Sequence, residues 1–545
     1  MESKKNDFFK ESKESRKKNK YVEPILTIGL SLLFTFGVLV FIQSIMGEKT
    51  STITNNKAEE YYFDGKFDEA INEYMSMQND DKWPIWTAKA AEVYSIKGDI
   101  AKSDNLLKEA MVKRDKVMLE EGDNYLEQDK DLINEVVFTF YMNGDLDQAE
   151  SLGEYYLSTY STYKPLLKTM FAISLAKDNQ ELSKEIVDTY PVDLESAYDL
   201  AVLAKMQILL GNYEEGLNNL KKSYELDKDE MKSFDVILET CEFDKEKLLE
   251  NISKLSEENP NEEVYKIWLE EINSTNESTM SLSEDIMNEI NSNVNKDSYV
   301  YNYIKAWSYY NKGQYDKALD YCKEVIMLNP QYSNSFGILM PKILIATENS
   351  EKVEAYFRAA IYNEPFNATL ITNIAQIYKD DLSNYDKSKE LFNLAISLNS
   401  KEDELYYYLA FVDLAREKED EAIEDLKNAI SINEDNYKYY RALGTIYYNM
   451  GENDKAIENI RKAYSLNEKD VLSLNNAACY YVMVDKDIWR GYTNIESAYN
   501  DMPRDLDKES KELITKNYEA IKKVYDKYVN DENTVVDLQG LELSY

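Results

Sequence analysis

A turn pattern built around glycine recurs through this chain and limits the folds that it can adopt. In each copy a glycine is followed, five residues later, by a small residue, and in most copies the residue two positions after the glycine is apolar. A glycine that ends one helix in the left-handed conformation, with a small residue where the next helix approaches, produces a tight helical hairpin. The pattern therefore predicts repeated helix pairs. It occurs at Gly65, Gly98, Gly144, Gly211, Gly313 and Gly451.

The low content of turn-forming residues favours the same fold class. Of the 545 residues, only 16 are glycine and 9 are proline, whereas average proteins contain about 7% and 5% of these residues. A β-sandwich or β-barrel needs turn residues about every 8–12 positions, and this composition cannot supply them. We therefore expect an all-α protein.

Matching residues near the C-terminal end give the length of the repeat. Residues 403–436 and 437–470 carry similar small and apolar residues at equivalent positions, 34 residues apart. Paired helices with this period are the signature of a helical-repeat protein. The equivalent pairs are Ala410 and Gly444, Ala422 and Ala456, Leu426 and Ile460, and Ala429 and Ala463.

Residues 437–470 resemble the tetratricopeptide repeat (TPR) at the positions that define this family. These residues are Tyr440, Leu443, Gly444, Tyr447, Ala456, Ile460 and Ala463. Glu468 replaces the proline that the family has after its second helix, and Asp413 replaces a tyrosine in the preceding repeat. The resemblance is strongest over 403–503. It implies a right-handed TPR-like α-solenoid of about thirteen helix pairs.

Extending this frame along the chain predicts the domain organisation. Residues 231–298 lack the motif, but their 68 residues are twice the repeat length, so we interpret them as two degenerate repeats. The predicted segments are a basic cytoplasmic tail (1–20), a transmembrane helix (24–46), N-terminal repeats (51–230, with an insertion at 118–129), the degenerate repeats (231–298), C-terminal repeats (299–503), a capping helix (505–530) and a tail (531–545).

The N-terminal segment predicts a membrane anchor. Residues 24–46 contain no charged residue, and a helix of this length is about 34 Å long, enough to span a hydrocarbon core of about 30 Å. Basic residues predominate at 1–20, which places the N-terminus in the cytoplasm and the repeats outside. A cleaved signal peptide is the alternative, but its apolar region would be shorter. The Asn-, Lys-, Ile- and Tyr-rich composition resembles that of bacterial proteins, so we expect a single-pass protein of a bacterial plasma membrane.

The family resemblance also implies a binding groove. In TPR arrays the first helices of the repeats line a concave face, and the side chains at the positions that point into it are here aromatic, cationic or amide-bearing. Such groups suit an extended peptide, and we expect a peptide carboxylate near Arg441. The positions are Tyr303, Trp307, Tyr310 and Asn311 in one repeat, Tyr407 and Phe411 in another, Lys438, Arg441, Thr445, Tyr448 and Asn449 in the next, and Asn475 and Cys479 in the last.

Residues that carry out catalysis or bind metals are scarce. The chain has no histidine, which excludes Ser-His-Asp, Cys-His and His-metal chemistry. Its three cysteines are far apart and form no CxxC motif, so a zinc ribbon and a disulfide framework are both disfavoured. The formal net charge of −39 argues against a nucleic-acid partner. We therefore predict a protein that is not an enzyme and has no cofactor or metal.

The sequence as a whole favours a membrane-anchored scaffold that binds protein or peptide partners through the TPR groove. One alternative is an enzyme whose catalytic segment lies in 231–298, where only Cys241 is reactive in principle. Another is a cytoplasmic peptide-sensing regulator, although no DNA-binding helix-turn-helix is recognisable before the repeats. The partner and the oligomeric state stay open.

Overall fold

The protein is all-α. The computed structural model describes residues 57–274, 297–530, 538 and 540–545, and these contain 25 α-helices and no β-strand. This confirms the predicted fold class. The chain divides into two compact units, one ending at Ile374 and the other beginning at Ala375.

The first unit consists of successive helix pairs followed by a more irregular stretch. A π-helical turn at Ser335–Leu339 leads directly into α15, and the kink in α11 lies at Asp244. The helices are α1 (Lys57–Phe63), α2 (Phe67–Asp80), α3 (Ile85–Ile96), α4 (Ile100–Glu121), α5 (Leu126–Met142), α6 (Leu146–Leu157), α7 (Lys164–Ala176), α8 (Gln180–Thr189), α9 (Ala197–Leu209), α10 (Tyr213–Leu226), α11 (Met231–Glu258), α12 (Glu263–Ser274), α13 (Tyr299–Asn311), α14 (Tyr315–Leu328), α15 (Met340–Ala346), α16 (Val353–Asn363) and α17 (Ala368–Asp380), which continues past the unit boundary.

The second unit contains the end of α17 and eight further helices. The residues predicted as a capping helix form α25, and α23 ends in a π-helical turn at Tyr481–Asp485. The helices are α18 (Tyr385–Leu398), α19 (Asp403–Ala415), α20 (Glu419–Ile432), α21 (Tyr437–Asn449), α22 (Asn453–Leu466), α23 (Val471–Tyr480), α24 (Ile488–Asn500) and α25 (Lys508–Tyr528).

The turns between paired helices have the left-handed backbone that the glycine pattern predicts. All six pattern glycines have positive φ, between 68° and 81°. At Gly65 a Cβ atom would also lie 2.1 Å from the carbonyl oxygen of Glu351, so only glycine fits there. The pattern undercounts such turns, because five residues with side chains adopt the same conformation. They are Asp178, Glu348, Ser383, Glu417 and Lys486, with φ between 52° and 60°.

The residues that share the repeat period form the core of the second unit. Each is at most 1% exposed, and all belong to one hydrophobic cluster. Burial against a neighbouring repeat is what makes each helix pair stable, since a single pair cannot bury its own apolar face. These residues are Ala410, Ala422, Leu426, Ala429, Ala456 and Ile460.

In the first unit, α16 and residues 364–367 pack against the helices that open successive pairs. The Tyr141 hydroxyl on α5 donates to the carbonyl oxygen of Pro365 at 2.9 Å. Lys205 on α9 and Lys232 on α11 reach the Glu364 carboxylate at 3.1 and 2.8 Å, and all three residues are at most 2% exposed. In this unit, α16 and residues 364–367 therefore cover part of the surface formed by the first helices of the helix pairs.

No helix in the described part of the chain combines the length and the apolar character that a membrane crossing requires. The predicted span at 24–46 and the basic tail at 1–20 lie outside the described residues.

A candidate peptide-binding groove in the second unit

Helices α19, α21, α23 and α25 provide the side chains of the candidate site. Three of them begin at a polar residue whose side chain accepts a hydrogen bond from a backbone N–H of the first helical turn. This N-cap fixes the residue at which the helix begins. These N-cap residues are Asn436, Asp470 and Asp507. The position at which each helix begins determines which of its residues face the site.

The C-terminal residues 540–545 lie across these helices, and Ser544 is held by its backbone. Its N–H donates to Oδ1 of Asn476 at 2.7 Å. Its carbonyl oxygen accepts from Nδ2 of Asn476 and from the Thr445 hydroxyl, both at 2.6 Å. One asparagine amide thus satisfies both backbone groups of Ser544.

Glu542 is held in the same manner two residues earlier. Its carbonyl oxygen accepts from Nδ2 of Asn517 at 2.8 Å and from Nδ2 of Asn475 at 3.4 Å. The Cys479 thiol lies 3.7 Å from the same oxygen, and burial raises the pKa of this thiol, so that it stays protonated. Alternate residues of the segment are therefore fixed by side-chain amides, which is the spacing of an extended chain.

The side chains of the segment alternate between buried and exposed. Leu541 and Leu543 are 7% and 9% exposed and belong to the hydrophobic core of the unit, whereas Glu542 is exposed. The Glu542 carboxylate pairs with Lys516 of α25 at 2.6 Å, at the solvent-exposed edge. The two leucines thus supply the apolar anchors of this segment.

Tyr545 contacts the other end of the site. Its ring packs edge-on against Phe411, with the ring centroids 6.0 Å apart. Its hydroxyl accepts a hydrogen bond from Nδ2 of Asn449 at 3.0 Å. Arg441 Nε donates to the main-chain oxygen of Tyr545 at 3.0 Å.

The charge of Arg441 is already balanced by a carboxylate of the same unit. Its Nη1 lies 2.6 Å from Oδ2 of Asp470, and Arg441 is 6% exposed. A guanidinium buried this deeply needs an anionic partner. The structure therefore places the main-chain oxygen of Tyr545 and the carboxylate of Asp470 beside Arg441, and the predicted peptide carboxylate at this position stays a prediction.

We call the surface that holds residues 540–545 the tail groove. It consists of Phe411, Arg441, Thr445, Asn449, Asn475, Asn476, Cys479 and Asn517. Most of these residues were predicted for a groove from the sequence. Of the remaining predicted residues in the unit, Tyr407 packs on Phe411 at 4.9 Å, Tyr448 packs against the adjoining core, and Lys438 is exposed.

The other four predicted residues lie on α13, in the first unit. Tyr303 is buried, with its ring centroid 5.1 Å from that of Tyr332. Trp307 packs between Tyr303 and Tyr310, and Asn311 is exposed. Tyr303, Trp307 and Tyr310 form an aromatic run within the first unit.

Sequence reasoning missed Asn476 and Asn517, and it predicted residues 531–545 only as a tail, without a place in the groove. Asn476 is adjacent to the predicted Asn475, and Asn517 lies on the helix that was expected only to cap the repeats. The alternation of Leu541, Glu542 and Leu543 is the signal that could have identified the tail, because period-two alternation is typical of an extended segment with one buried face.

The groups in the tail groove suit binding rather than catalysis. Amides, a hydroxyl and a guanidinium offer donors and acceptors for a peptide backbone. Within the residues that the structure describes, no group of three or more acidic or cysteine side chains is placed to hold a metal ion.

Several solved structures are partly similar to this chain. The Cut9–Hcn1 hetero-tetramer of the APC/C matches with a TM-score of 0.38 and 14% identity over 85% of this chain and 95% of that chain. Yeast Tom70 matches with a TM-score of 0.37 and 14% identity over 88% and 96%. YrrB, described as a TPR protein with an unusual peptide-binding site, has a TM-score of 0.26 and 18% identity over 34% and 94%. No protein of curated function matches the chain in sequence.

Family models identify individual repeats more directly. The tetratricopeptide repeat model matches residues 302–332, which span α13 and α14. A second model of the same repeat matches 368–402 and 437–470, and the last match has the bounds that the 34-residue period predicts. The match at 437–470 includes three residues of the tail groove: Arg441, Thr445 and Asn449. The chain therefore contains tetratricopeptide repeats.

Proposed function

We propose that this protein is a non-catalytic scaffold that binds protein partners by holding an extended segment of each partner in the tail groove. The observation that supports this proposal is the arrangement of residues 540–545, whose alternate backbone groups are bonded by Asn476 and Asn517. A groove that binds one extended segment in this way has the chemistry to bind another.

Contacts to the backbone of a bound segment contribute affinity, and contacts to its side chains contribute both affinity and specificity. Hydrogen bonds to the backbone are independent of sequence, each contributing about 0.5–1.5 kcal/mol. Burial of a leucine side chain contributes about 1.5–3 kcal/mol. The pockets of Leu541 and Leu543, together with the ring contact of Tyr545, then select which segments bind.

Residues 231–298 are the stretch for which the sequence allowed a catalytic segment as an alternative. The described part of this stretch that precedes residue 275 packs as part of the first unit. Val236 and Leu248 of α11 and Trp268 of α12 are at most 1% exposed and share one hydrophobic cluster with Leu217 of α10. Packing of this kind supports a role as repeats for residues 231–274.

Peptide binding can be tested with the tail displaced. Leu541→Asp with Leu543→Asp in the full chain would place two charges in apolar sites and release the segment. A fluorescein-labelled peptide with the sequence of residues 537–545 should then bind this variant, as measured by anisotropy. Failure to bind, while circular dichroism shows the helices of the parent, would refute the proposal.

A matched pair of threonines controls for indirect effects. We call the Leu541→Asp, Leu543→Asp protein the released variant. In this background, Thr445→Val removes the hydroxyl that faces the peptide and should weaken binding about 3–10-fold, the equivalent of one hydrogen bond. Thr493→Val on α24 removes a hydroxyl that donates to the carbonyl of Trp489 four residues earlier. Binding should not change in that variant.

We also propose that the scaffold is anchored in a bacterial plasma membrane with its repeats outside the cytoplasm. The support is the uncharged stretch at 24–46 and the basic residues that precede it. Protease added to intact, wall-stripped cells should destroy an epitope placed after Tyr545 and spare one placed before the span. A protected C-terminal epitope would contradict this orientation.

A further inference from the structure

We propose that residues 540–545 regulate the tail groove of their own chain by occupying it, so that a partner gains access only by displacing them. This inference rests on the proposed function. It adds that the groove is closed in the absence of a partner, and that a partner segment has aliphatic residues at two alternate positions and an aromatic residue two positions later.

The segment occupies the groove in the way that a bound peptide would. It adds no helix, and residues 531–539 separate it in sequence from Asn530, close to the end of α25. Most of its polar contacts go from groove side chains to its backbone, at Glu542, Ser544 and Tyr545. A foreign segment in the same extended conformation would offer the same backbone groups.

The exposed positions of the segment show where a partner sequence can vary. Glu542 is exposed and can vary, since its pair with Lys516 lies at the edge with both side chains more than half exposed, whereas the partly exposed Tyr545 packs its ring against Phe411. Exposed pairs of this kind add little to binding. The buried positions, Leu541 and Leu543, are therefore the ones that a competing segment must match.

The covalent connection gives the tail an advantage over any free peptide. In general, a ligand joined to its site by a linker of about nine residues is held at an effective concentration of about 1 mM. A free peptide that binds the empty groove with a Kd of about 10 μM would then appear about 100-fold weaker against the tethered tail. A partner overcomes this advantage through tighter binding or through a second contact elsewhere on the scaffold.

Competition in the full chain tests the inference. The labelled peptide of residues 537–545 is titrated into the parent protein and into the Leu541→Asp, Leu543→Asp variant. The variant should bind at least about 30-fold more tightly than the parent. A control pair, Leu226→Asp with Leu328→Asp, places the same charges at two leucines that are 52% and 48% exposed, and should bind as weakly as the parent.

The possible outcomes separate this inference from the proposed function. Equal and measurable binding to the parent and to the released variant would overturn regulation by the tail but leave peptide binding intact. Absence of binding to the folded released variant would overturn both. Dimers of the parent that dissociate when the two leucines are replaced would show exchange of tails between chains and would overturn occupation within one chain.

Cleavage of the tail covers the case in which the released variant does not fold. A protease site inserted within 531–537 allows the tail to be cut after the parent has folded with its native leucines. At micromolar protein concentration the cut tail should dissociate, and the labelled peptide should bind more tightly by the same factor of at least about 30. Unchanged peptide affinity after complete cleavage would refute the inference.

Discussion

The Asn476 side chain forms two hydrogen bonds with the backbone of one residue: Oδ1 accepts from the Ser544 N–H at 2.7 Å, and Nδ2 donates to the Ser544 carbonyl at 2.6 Å. Asn476 is fully buried, and its amide also reaches the Thr445 hydroxyl at 3.0 Å. A buried amide with both ends bonded to one residue's backbone fixes that residue in position and direction.

The first prediction concerns the protection of the Ser544 amide. Asn476→Ala removes the acceptor of its N–H, and a lost hydrogen bond of about 1 kcal/mol corresponds to roughly 5-fold faster exchange. Hydrogen exchange of the C-terminal peptide, followed by mass spectrometry, measures the effect. Asn459→Ala on α22 is the control, since that amide donates to the carbonyl of Lys455 in its own helix. Equal exchange in both variants would contradict the contact.

A second prediction concerns Arg441, which contributes to both folding and binding. Arg441→Ala removes the donor to Tyr545 and also leaves Asp470 without its cation. We expect peptide binding in the released variant to weaken by about 1–3 kcal/mol, the range for a charge-assisted hydrogen bond. Tyr406→Ala should instead lower the melting temperature with little change in affinity, because Tyr406 packs against the core.

The Arg441–Asp470 pair can be isolated by a double-mutant cycle. Asp470→Asn keeps an N-cap side chain for α23 but removes the negative charge. If the two residues act as a pair, the double variant should lose less stability than the sum of the single variants, as measured by thermal denaturation. Additive losses would show that Arg441 acts independently of Asp470.

The third prediction is a pH dependence in the first unit. Burial raises the pKa of Asp131 to about 6, from an ordinary value of 3.8, and the Tyr163 hydroxyl donates to its Oδ1 at 2.6 Å. Since the folded state holds this proton more tightly than the unfolded state, the contribution of Asp131 to stability is highest at low pH and falls as the pH rises from about 4 to about 6.

Asp131→Asn tests this dependence, because an asparagine carries no charge and can still accept from Tyr163. At pH 7 the variant should be more stable than the parent by up to about 3 kcal/mol, and below pH 4 the two should be nearly equal. Denaturant unfolding at both pH values is the measurement. Asp80→Asn, at an exposed carboxylate at the end of α2, should show no such difference. A constant difference between the Asp131→Asn variant and the parent across this range would contradict the assignment.

The repeats could be predicted from the sequence because their determinants are local. Each turn glycine acts within one helix pair, and its positive φ is a local property. Ala422 and Ala456 occupy equivalent positions of adjacent repeats, and the burial of Ala422, Leu426 and Ala456 confirms the 34-residue frame. The family models then match the same frame at 437–470.

The tail groove could be predicted only in part. Groove residues such as Arg441 and Asn449 can be predicted from their positions on the first helix of a repeat. The segment that they bind cannot be predicted in this way. That Ser544 lies beside Asn476 is a contact between residues 68 positions apart, and no short-range sequence pattern records such a contact. Asn517 was missed for the same reason, because it joins the groove only through the packing of α25 against α23.

A fourth prediction concerns the buried ion pairs of the first unit. Glu364 is 1% exposed and faces Lys205 and Lys232, which also share Glu239. Glu364→Gln would leave two buried lysines with one carboxylate, and we expect a loss of about 3–5 kcal/mol in unfolding free energy. Glu348→Gln, in a turn, should change it by less than about 0.5 kcal/mol. A loss below about 1 kcal/mol for Glu364→Gln would show that Glu239 alone neutralises both lysines.

The last prediction uses the turns that lack glycine. Glu417 joins α19 to α20 with φ of 60°, whereas Gly451 occupies the equivalent turn between α21 and α22 with φ of 78°. A residue with a Cβ atom is strained in this conformation by about 1 kcal/mol, and glycine is not. Glu417→Gly should therefore stabilise the second unit by at most about 0.5 kcal/mol, because the greater freedom of glycine in the unfolded chain offsets part of the relieved strain. Gly451→Ala should destabilise it by about 1 kcal/mol, since no atom lies within 4 Å of the added Cβ and only the backbone conformation is penalised. Opposite shifts in melting temperature would confirm that backbone conformation, rather than contact, selects glycine in these turns, and shifts of the same sign would refute it.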